Sequence, residues 1–288
     1  MSVMMRNRIA ILVLAALLLP IAAAADDAPC GKLNDWQREM SQHFFKTHYL
    51  YACCDRTIRE CLQKEPVCDA AVRVQDQSCR LILDGGDDLA LARALDTRAQ
   101  TMLPALEPYK YDPSNAYVFG DSEARVTALI YFCVPSLESA QLIPWLYREI
   151  MTGALKGKVK LVLKLFPSSN TDSCWESALA AMAAGEQGKF FEYIDTAFYN
   201  LDEFSIPQLS LWAQDIELDV AKFKTDMKSK AIADRLAASK AEALASKIDV
   251  TPTLIINGRL YRAAYDRETI QDILLEEYQR LIGLKWNK

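Results

Sequence analysis

One segment, Val126-Thr-Ala-Leu-Ile-Tyr-Phe132, constrains this chain more than any other. It is apolar on both alternating sets of positions, so as a strand it has no side that water could cover. It therefore belongs inside a sheet with helices on both faces. The residues around it agree. Leu137 to Met151 reads as a helix with a kink at Pro144. Lys158 to Phe166 reads as a second strand, stopped by Pro167. A long helical stretch, about Ser173 to Lys247, is broken near Gly185, Gly188, Pro207 and Asp219. Thr253 to Ile256 is a short strand, Asn257-Gly258 a type I′ hairpin turn, and Arg259 to Tyr261 the returning strand. Asp266 to Leu281 closes with an amphipathic helix. The order β-α-β, helical insertion, β-β-α predicts one sheet covered by helices.

The first residues bear on compartment. Arg6 and Arg8 precede an unbroken apolar run from Ile9 to Leu19, and Ala23-Ala24-Ala25 stands before Asp26-Asp27. That is the order of a secretory signal over residues 1–25, and it predicts cleavage after Ala25 and a periplasmic or secreted location. The run is too short for a comfortable membrane span, and no second stretch is apolar enough for one. Asp27-Ala28-Pro29 before Cys30 argues against lipid modification. Removing residues 1–25 deletes two arginines and no acid, which takes the net charge from −5 to −7. Such a surface gives no electrostatic case for nucleic acid or anionic membrane. The partner to expect is an exported polypeptide or an envelope protein.

Eight cysteines in an exported chain read first as disulfides. Cys30, Cys53, Cys54, Cys61, Cys68 and Cys79 fall in residues 26–103, and Cys133 and Cys174 lie beyond. Both sets are even, so each region could close its own bridges. The first region reads as a small all-helical domain. Asn34 caps a helix to about Tyr49, Asp55 to Ile58 opens a second that Pro66 ends, and Val67–Leu83 and Asp87–Met102 complete it. Cys54, Cys61 and Cys68 are seven apart and Cys79 eleven further on, which predicts one helical face and bridges between neighbouring helices. The paired C-x-x-C knuckles of structural zinc sites are missing, so no metal or other cofactor is expected. Pro104, Pro108 and Pro113 mark residues 104–115 as a linker, leaving residues 116–288 for the α/β domain.

Cys53, Thr57-Ile58, Ala71, Arg73, Arg80, Gly85 or Gly86, Leu95 and Arg98 are faintly similar in order to the helical domain of CcmH-type cytochrome c maturation proteins. Leu50 stands where that family's first redox cysteine would be, and no haem-related role is carried over.

The second region resembles the DsbA family in four places. Phe119-Gly120-Asp-Ser-Glu-Ala-Arg-Val126-Thr127 is similar to the lead into that family's first core strand, and Lys158 to Pro167 to the strand that follows. Ala184-Gly185-Glu186-Gln187-Gly188-Lys189-Phe190-Phe191-Glu192 is similar to its A-G-x-Q-G-K-F-W-E stretch, and Val250 to Gly258 to its T-P-T-x-x-I-N-G loop. The resemblance implies an α/β thioredoxin-like fold with a helical insertion of DsbA type. It also implies where the redox motif should be. Counted without gaps from Val126-Thr127, the family's C-x-x-C falls on Ser136-Leu137-Glu138-Ser139, and Pro144 then meets the proline common in the following helix. A three-residue deletion would instead put Cys133-Val134-Pro135-Ser136 there.

Disulfide exchange needs a thiolate, which the helix N-terminus favours by lowering the cysteine's pKa. A serine hydroxyl is not ionised there and forms no mixed disulfide. Ser136 is, however, a good N-cap. In the family the proline matching Pro252 is cis and the residue before it pairs with an extended substrate. The resemblance thus implies a peptide edge made by Ser136, Leu137, Glu138, Thr251 and Pro252. Cys133 and Cys174 fall near that edge, as a static staple or a displaced redox pair.

Three functions compete: an envelope protein that binds peptides or a partner without exchange at the usual motif, a thiol–disulfide oxidoreductase or isomerase using Cys133 with Cys174 or the N-terminal cysteines, and a structural subunit of an envelope assembly. Serine hydrolysis is excluded, since His43 and His48 are the only histidines, both lie in the other region, and no G-x-S-x-G surrounds Ser136.

Overall fold

The computed structural model describes residues 28–50, 56–65, 67–102, 107–167, 172–263 and 265–282. The export signal expected over residues 1–25, Cys53, Cys54, Pro66 and Pro104 lie outside the described residues.

The N-terminal region is helical apart from one short strand pair. Helix α1 (Asp35–Thr47) begins at a capping box, in which Asn34 accepts from the Gln37 N–H and Gln37 returns the bond. Strands β1 (Tyr49–Leu50) and β2 (Arg56–Thr57) pair antiparallel. Thr57 and Glu60 form a second capping box that opens α2 (Ile58–Leu62). Helices α3 (Asp69–Leu83) and α4 (Asp88–Met102) follow, with Gly85 at φ +89° in the turn between them. Phe44, Ile58, Val74, Ile82 and Leu91 make the core. A Cys30–Cys79 disulfide ties the 3-10 turn Pro29–Lys32 to α3. Cys61 and Cys68 are also disulfide-bonded. The expected single cysteine face does not occur. Cys61 sits on α2 and Cys68 is the N-cap of α3, because the backbone turns at residues 63–65 between them.

The second region is a mixed five-stranded sheet in the order β3-β5-β4-β6-β7. Its strands are β3 (Tyr117–Phe119), β4 (Val126–Phe132), β5 (Val159–Leu165), β6 (Thr253–Ile256) and β7 (Arg259–Leu260). Strands β4 and β5 run parallel, and the other pairs are antiparallel. Helix α5 (Leu137–Met151) joins β4 to β5. The insertion is α6 (Asp172–Gly185), α7 (Phe190–Tyr199), α8 (Gln208–Asp215), α9 (Val220–Asp226) and α10 (Lys230–Ala245), and α11 (Arg267–Leu281) ends the fold. The turn at Asn257 (φ +46°) and Gly258 (φ +80°) has both central residues left-handed, as a type I′ hairpin requires. Strand β3 was not foreseen. Its three residues lie between Pro113 and Gly120, where no strand is predicted, and they become one by pairing with β5.

The continuous apolar run of β4 is explained by its two faces. Val126, Ala128, Ile130 and Phe132 enter the main core with α5, α6, α7 and α11. Leu129 and Tyr131 face a smaller core with Val162, Phe166, Ala243 and Ile248, covered by Tyr109 and Tyr111. Inside that second layer, Lys164 is wholly buried. Its Nζ donates to Glu242 Oε1 at 2.7 Å and to the Asp112 carbonyl at 2.9 Å. The Tyr131 hydroxyl also donates to Glu242, and the Asp112 N–H donates to its other oxygen at 2.7 Å. A charge this deep is tolerated only with such a complete set of partners.

Helices α3 and α4 pack on α11 through a second buried polar set. Arg98 donates to Glu276, and the pair is 5 % and 3 % exposed. Glu277 is wholly buried and accepts from Asn257 and Arg280 while pairing with Arg259. Burial alone would raise the carboxyls of Glu242 and Glu277, but these donors outweigh it and hold both below the usual 4.5. A depressed folded value means stability that is present above pH 4.5 and lost as pH falls through the folded value. Asp272 acts in the opposite sense, since burial raises its carboxyl. Urea midpoints taken from pH 7 to pH 3 should therefore drop below about pH 4.5, and Glu277→Gln should flatten that drop.

Candidate functional site at the sheet edge

The strand register brings the candidate residues to one edge. Parallel β4 and β5 end together, with Phe132 opposite Leu165, and the Phe166 N–H donates to the Phe132 carbonyl at 2.8 Å. Antiparallel β6 begins beside them, with Thr253 opposite Tyr131. Three segments thus emerge side by side: Cys133 to Ser136 after β4, the start of α6 after β5, and Val250 to Pro252 before β6.

Ser136 is the N-cap of α5. Its backbone is extended (φ −114°, ψ 124°), and its Oγ accepts from the Ser139 N–H at 3.2 Å while donating to Glu138 at 3.1 Å. Helix α5 thus starts where the ungapped register places the motif, not three residues earlier. Leu137 is 59 % exposed on the first turn. Ser139 is wholly buried, and its Oγ has no hydrogen-bond partner among the described residues. Ser136→Ala removes the cap and should cost about 1 kcal/mol in urea unfolding with little change in far-ultraviolet circular dichroism.

The Thr251–Pro252 peptide bond is cis, the geometry the resemblance implies. Both residues are half-buried, Thr253 Oγ1 holds the turn by donating to the Val250 carbonyl at 2.7 Å, and Val250 itself is 63 % exposed. Cys133 and Cys174 form a disulfide with Cα atoms 5.7 Å apart. It joins the residue after β4 to the first turn of α6, and its cysteines are 3 % and 8 % exposed. His43 lies on α1 and His48 caps its end, both in the other region.

The family model described as Thioredoxin matches residues 114–276, more than half of the chain. This chain belongs to the thioredoxin family. Its fold is DsbA-like, of the kind built by thiol–disulfide oxidoreductases, with a helical insertion after a mainly helical N-terminal region. Among solved structures it is similar to a thioredoxin-like oxidoreductase from Silicibacter pomeroyi, at 22 % identity and TM-score 0.50 over 58 % of this chain and 94 % of that one. It is similar also to oxidised BdbD from Bacillus subtilis, at 15 % identity and TM-score 0.52 over 60 % of this chain and 97 % of that one. The thiol-disulfide exchange protein alpha-DsbA2 from Wolbachia pipientis matches at 19 % identity and TM-score 0.50, over 65 % of this chain and 98 % of that one. These likenesses speak for the fold.

Curated relatives are Na(+)/H(+) antiporters named NhaA. One from Salinispora tropica is 28 % identical over 65 % of this chain and 28 % of its own length. Another from Herminiimonas arsenicoxydans is 34 % identical over 34 % of this chain and 16 % of its own length. The chain thus spans less than a third of the relatives it matches. Among the described residues, no helix is long and apolar enough to cross a membrane.

Sequence reasoning missed two features near this edge. One is the buried Lys164, a cation that shares its strand with the partly exposed Lys160 and lies between two apolar neighbours. The other is a large cleft beside Pro252 whose walls come from three separate segments.

Proposed function

We propose that this chain binds extended polypeptides in the cell envelope, at the edge made by Ser136, Leu137, Glu138, Thr251 and Pro252, without thiol–disulfide exchange at the start of α5. The observation that carries this reading is Ser136 at the helix N-cap. A thiolate there would gain from the free N–H groups and the dipole, whereas the hydroxyl gives the cap and nothing to exchange. The exposed Leu137 and Val250 flank a cis-proline turn, which suits main-chain pairing with a bound segment and little sequence demand. The export signal read in residues 1–25 supports an envelope location. Two separate cores support a helical domain at 26–103, a linker at 104–115 and a thioredoxin domain at 116–288.

One observation favours a second reading, of exchange through Cys133 and Cys174: their bridge lies three residues from the cap. Its burial argues the other way, because an attacking thiolate must reach a sulfur. Insulin reduction assayed with wild type and Cys133→Ser separates the two. No turnover in either supports binding alone, whereas turnover that Cys133→Ser abolishes would overturn it. The double variant Ser136→Cys/Ser139→Cys is expected to gain a reducible bridge and measurable insulin reduction, read against wild type. Peptide binding weakened by Thr251→Pro would argue against the third reading, a purely structural envelope subunit.

A further inference from the structure

Strand β7 is the last strand of the sheet, and the end of α4 lies against it. Arg259 Nε donates to the Thr101 carbonyl at 3.2 Å, and the Arg262 N–H, just past the strand, donates to Thr101 Oγ1 at 3.2 Å. Thr101 itself is wholly buried. From the other side, Glu277 of α11 accepts from Asn257 at 2.8 Å and pairs with Arg259 at 2.6 Å. Pro252 leads directly into this hairpin, since β6 begins at Thr253. A residue of the N-terminal helices thus grips the hairpin that follows the cis-proline turn.

The way those helices sit on α11 is unlike a permanent core. Gln77 of α3 donates to Asp272 at 2.7 Å, while its carbonyl accepts from Arg98 at 2.9 Å. Arg73 donates to Gln279 at 2.8 Å but reaches Asp272 only at 3.8 Å. Its buried Nε has no hydrogen-bond partner among the described residues. The apolar clusters on the two sides of this junction have no residue in common. Parts of one chain move across such a junction, because ions and amides hold it, one buried donor is unsatisfied, and no large apolar seam fixes it.

We infer that the N-terminal helices are a releasable clamp on the peptide edge. Docked on α11, they order the β6–β7 hairpin and hold the Thr251–Pro252 turn in its binding geometry; undocked, they release both. Docking and peptide binding then strengthen each other by the same factor. The effect on binding rests on the peptide-binding reading, whereas the ordering of the hairpin does not.

The test uses the full-length oxidised protein. Arg73 lies among the carboxylates of Glu276, Asp272 and Asp69, so Arg73→Glu should undock the helices and enlarge the radius of gyration in small-angle X-ray scattering. Amide exchange should then rise about tenfold in residues 253–262 and stay unchanged in β5, which serves as the control for global unfolding. A fluorescein-labelled peptide of alternating valine and serine should bind about tenfold more weakly. Arg73→Lys keeps the charge and should behave as wild type. Thr101→Val should keep the docked radius yet raise hairpin exchange, because it removes the acceptor of the Arg262 N–H. Saturating Arg73→Glu with the peptide should shift its radius back toward that of wild type. An unchanged radius in Arg73→Glu, or a larger one with hairpin exchange unaltered, would overturn the clamp. Wild type that binds no peptide, with hairpin exchange still following docking, would overturn the peptide-binding reading and the coupling to it, but not the grip on the hairpin.

Discussion

A Cys133→Ala/Cys174→Ala variant is expected to lose about 4 kcal/mol of stability, on a chain-entropy account of a cross-link between residues 41 apart in sequence. The bridge joins the end of β4 to the start of α6, so the unfolded chain gains freedom across α5, β5 and the loop between them. Urea unfolding of the variant against oxidised wild type measures the loss. Mild reductant supplies the complementary observation. With its cysteines 3 % and 8 % exposed, the bridge should resist dithiothreitol in the native state and open only once urea exposes it. A loss below about 1 kcal/mol together with rapid native-state reduction would mark the bridge as labile, and the staple reading would fail.

Arg98→Met should be nearly as costly, at about 3–5 kcal/mol, because it strands Glu276 in a site only 3 % exposed. The cost comes from the orphaned charge more than from the lost attraction. The double variant Arg98→Met/Glu276→Met should therefore recover much of the loss, as apolar replacements of buried pairs often do. Thermal melts of the single and double variants decide this. Arg98 lies on α4 and Glu276 on α11, so the single variant should also loosen the N-terminal helices from the thioredoxin domain. Limited proteolysis within residues 103–116 would report that.

What the sequence disclosed, it disclosed through local chemistry. Asn34 and Ser136 each cap the helix that follows, and Asn257-Gly258 turns the hairpin, since these features depend on neighbours a few residues away. The uninterrupted apolar run of β4 implied a doubly covered strand, because alternation fails only when both faces are buried. What stayed hidden depended on distant partners. Strand β3 exists through its pairing with β5, and the anchor of Lys164 is Glu242 on α10. The cysteine spacing misled because a seven-residue period has meaning only along one continuous helix, and the backbone turns between Cys61 and Cys68. Within the candidate site, Ser136 and Thr251-Pro252 were legible from motif register. The cleft beside Pro252 was not, because Tyr109 is remote in sequence from Val250 and Leu260.

The hydroxyl that caps α5 has a single oxidation state, and this has a consequence for any client held there. A cysteine at that position would tie capture and release to the electron supply of the compartment. On the peptide-binding reading proposed above, occupancy at Ser136 follows client concentration and dissociation constant alone, and release needs no reductant and no second protein to reset the site. The edge should accordingly load and empty at the same rates in oxidising and in reducing medium, as long as the buried Cys133–Cys174 bridge stays closed.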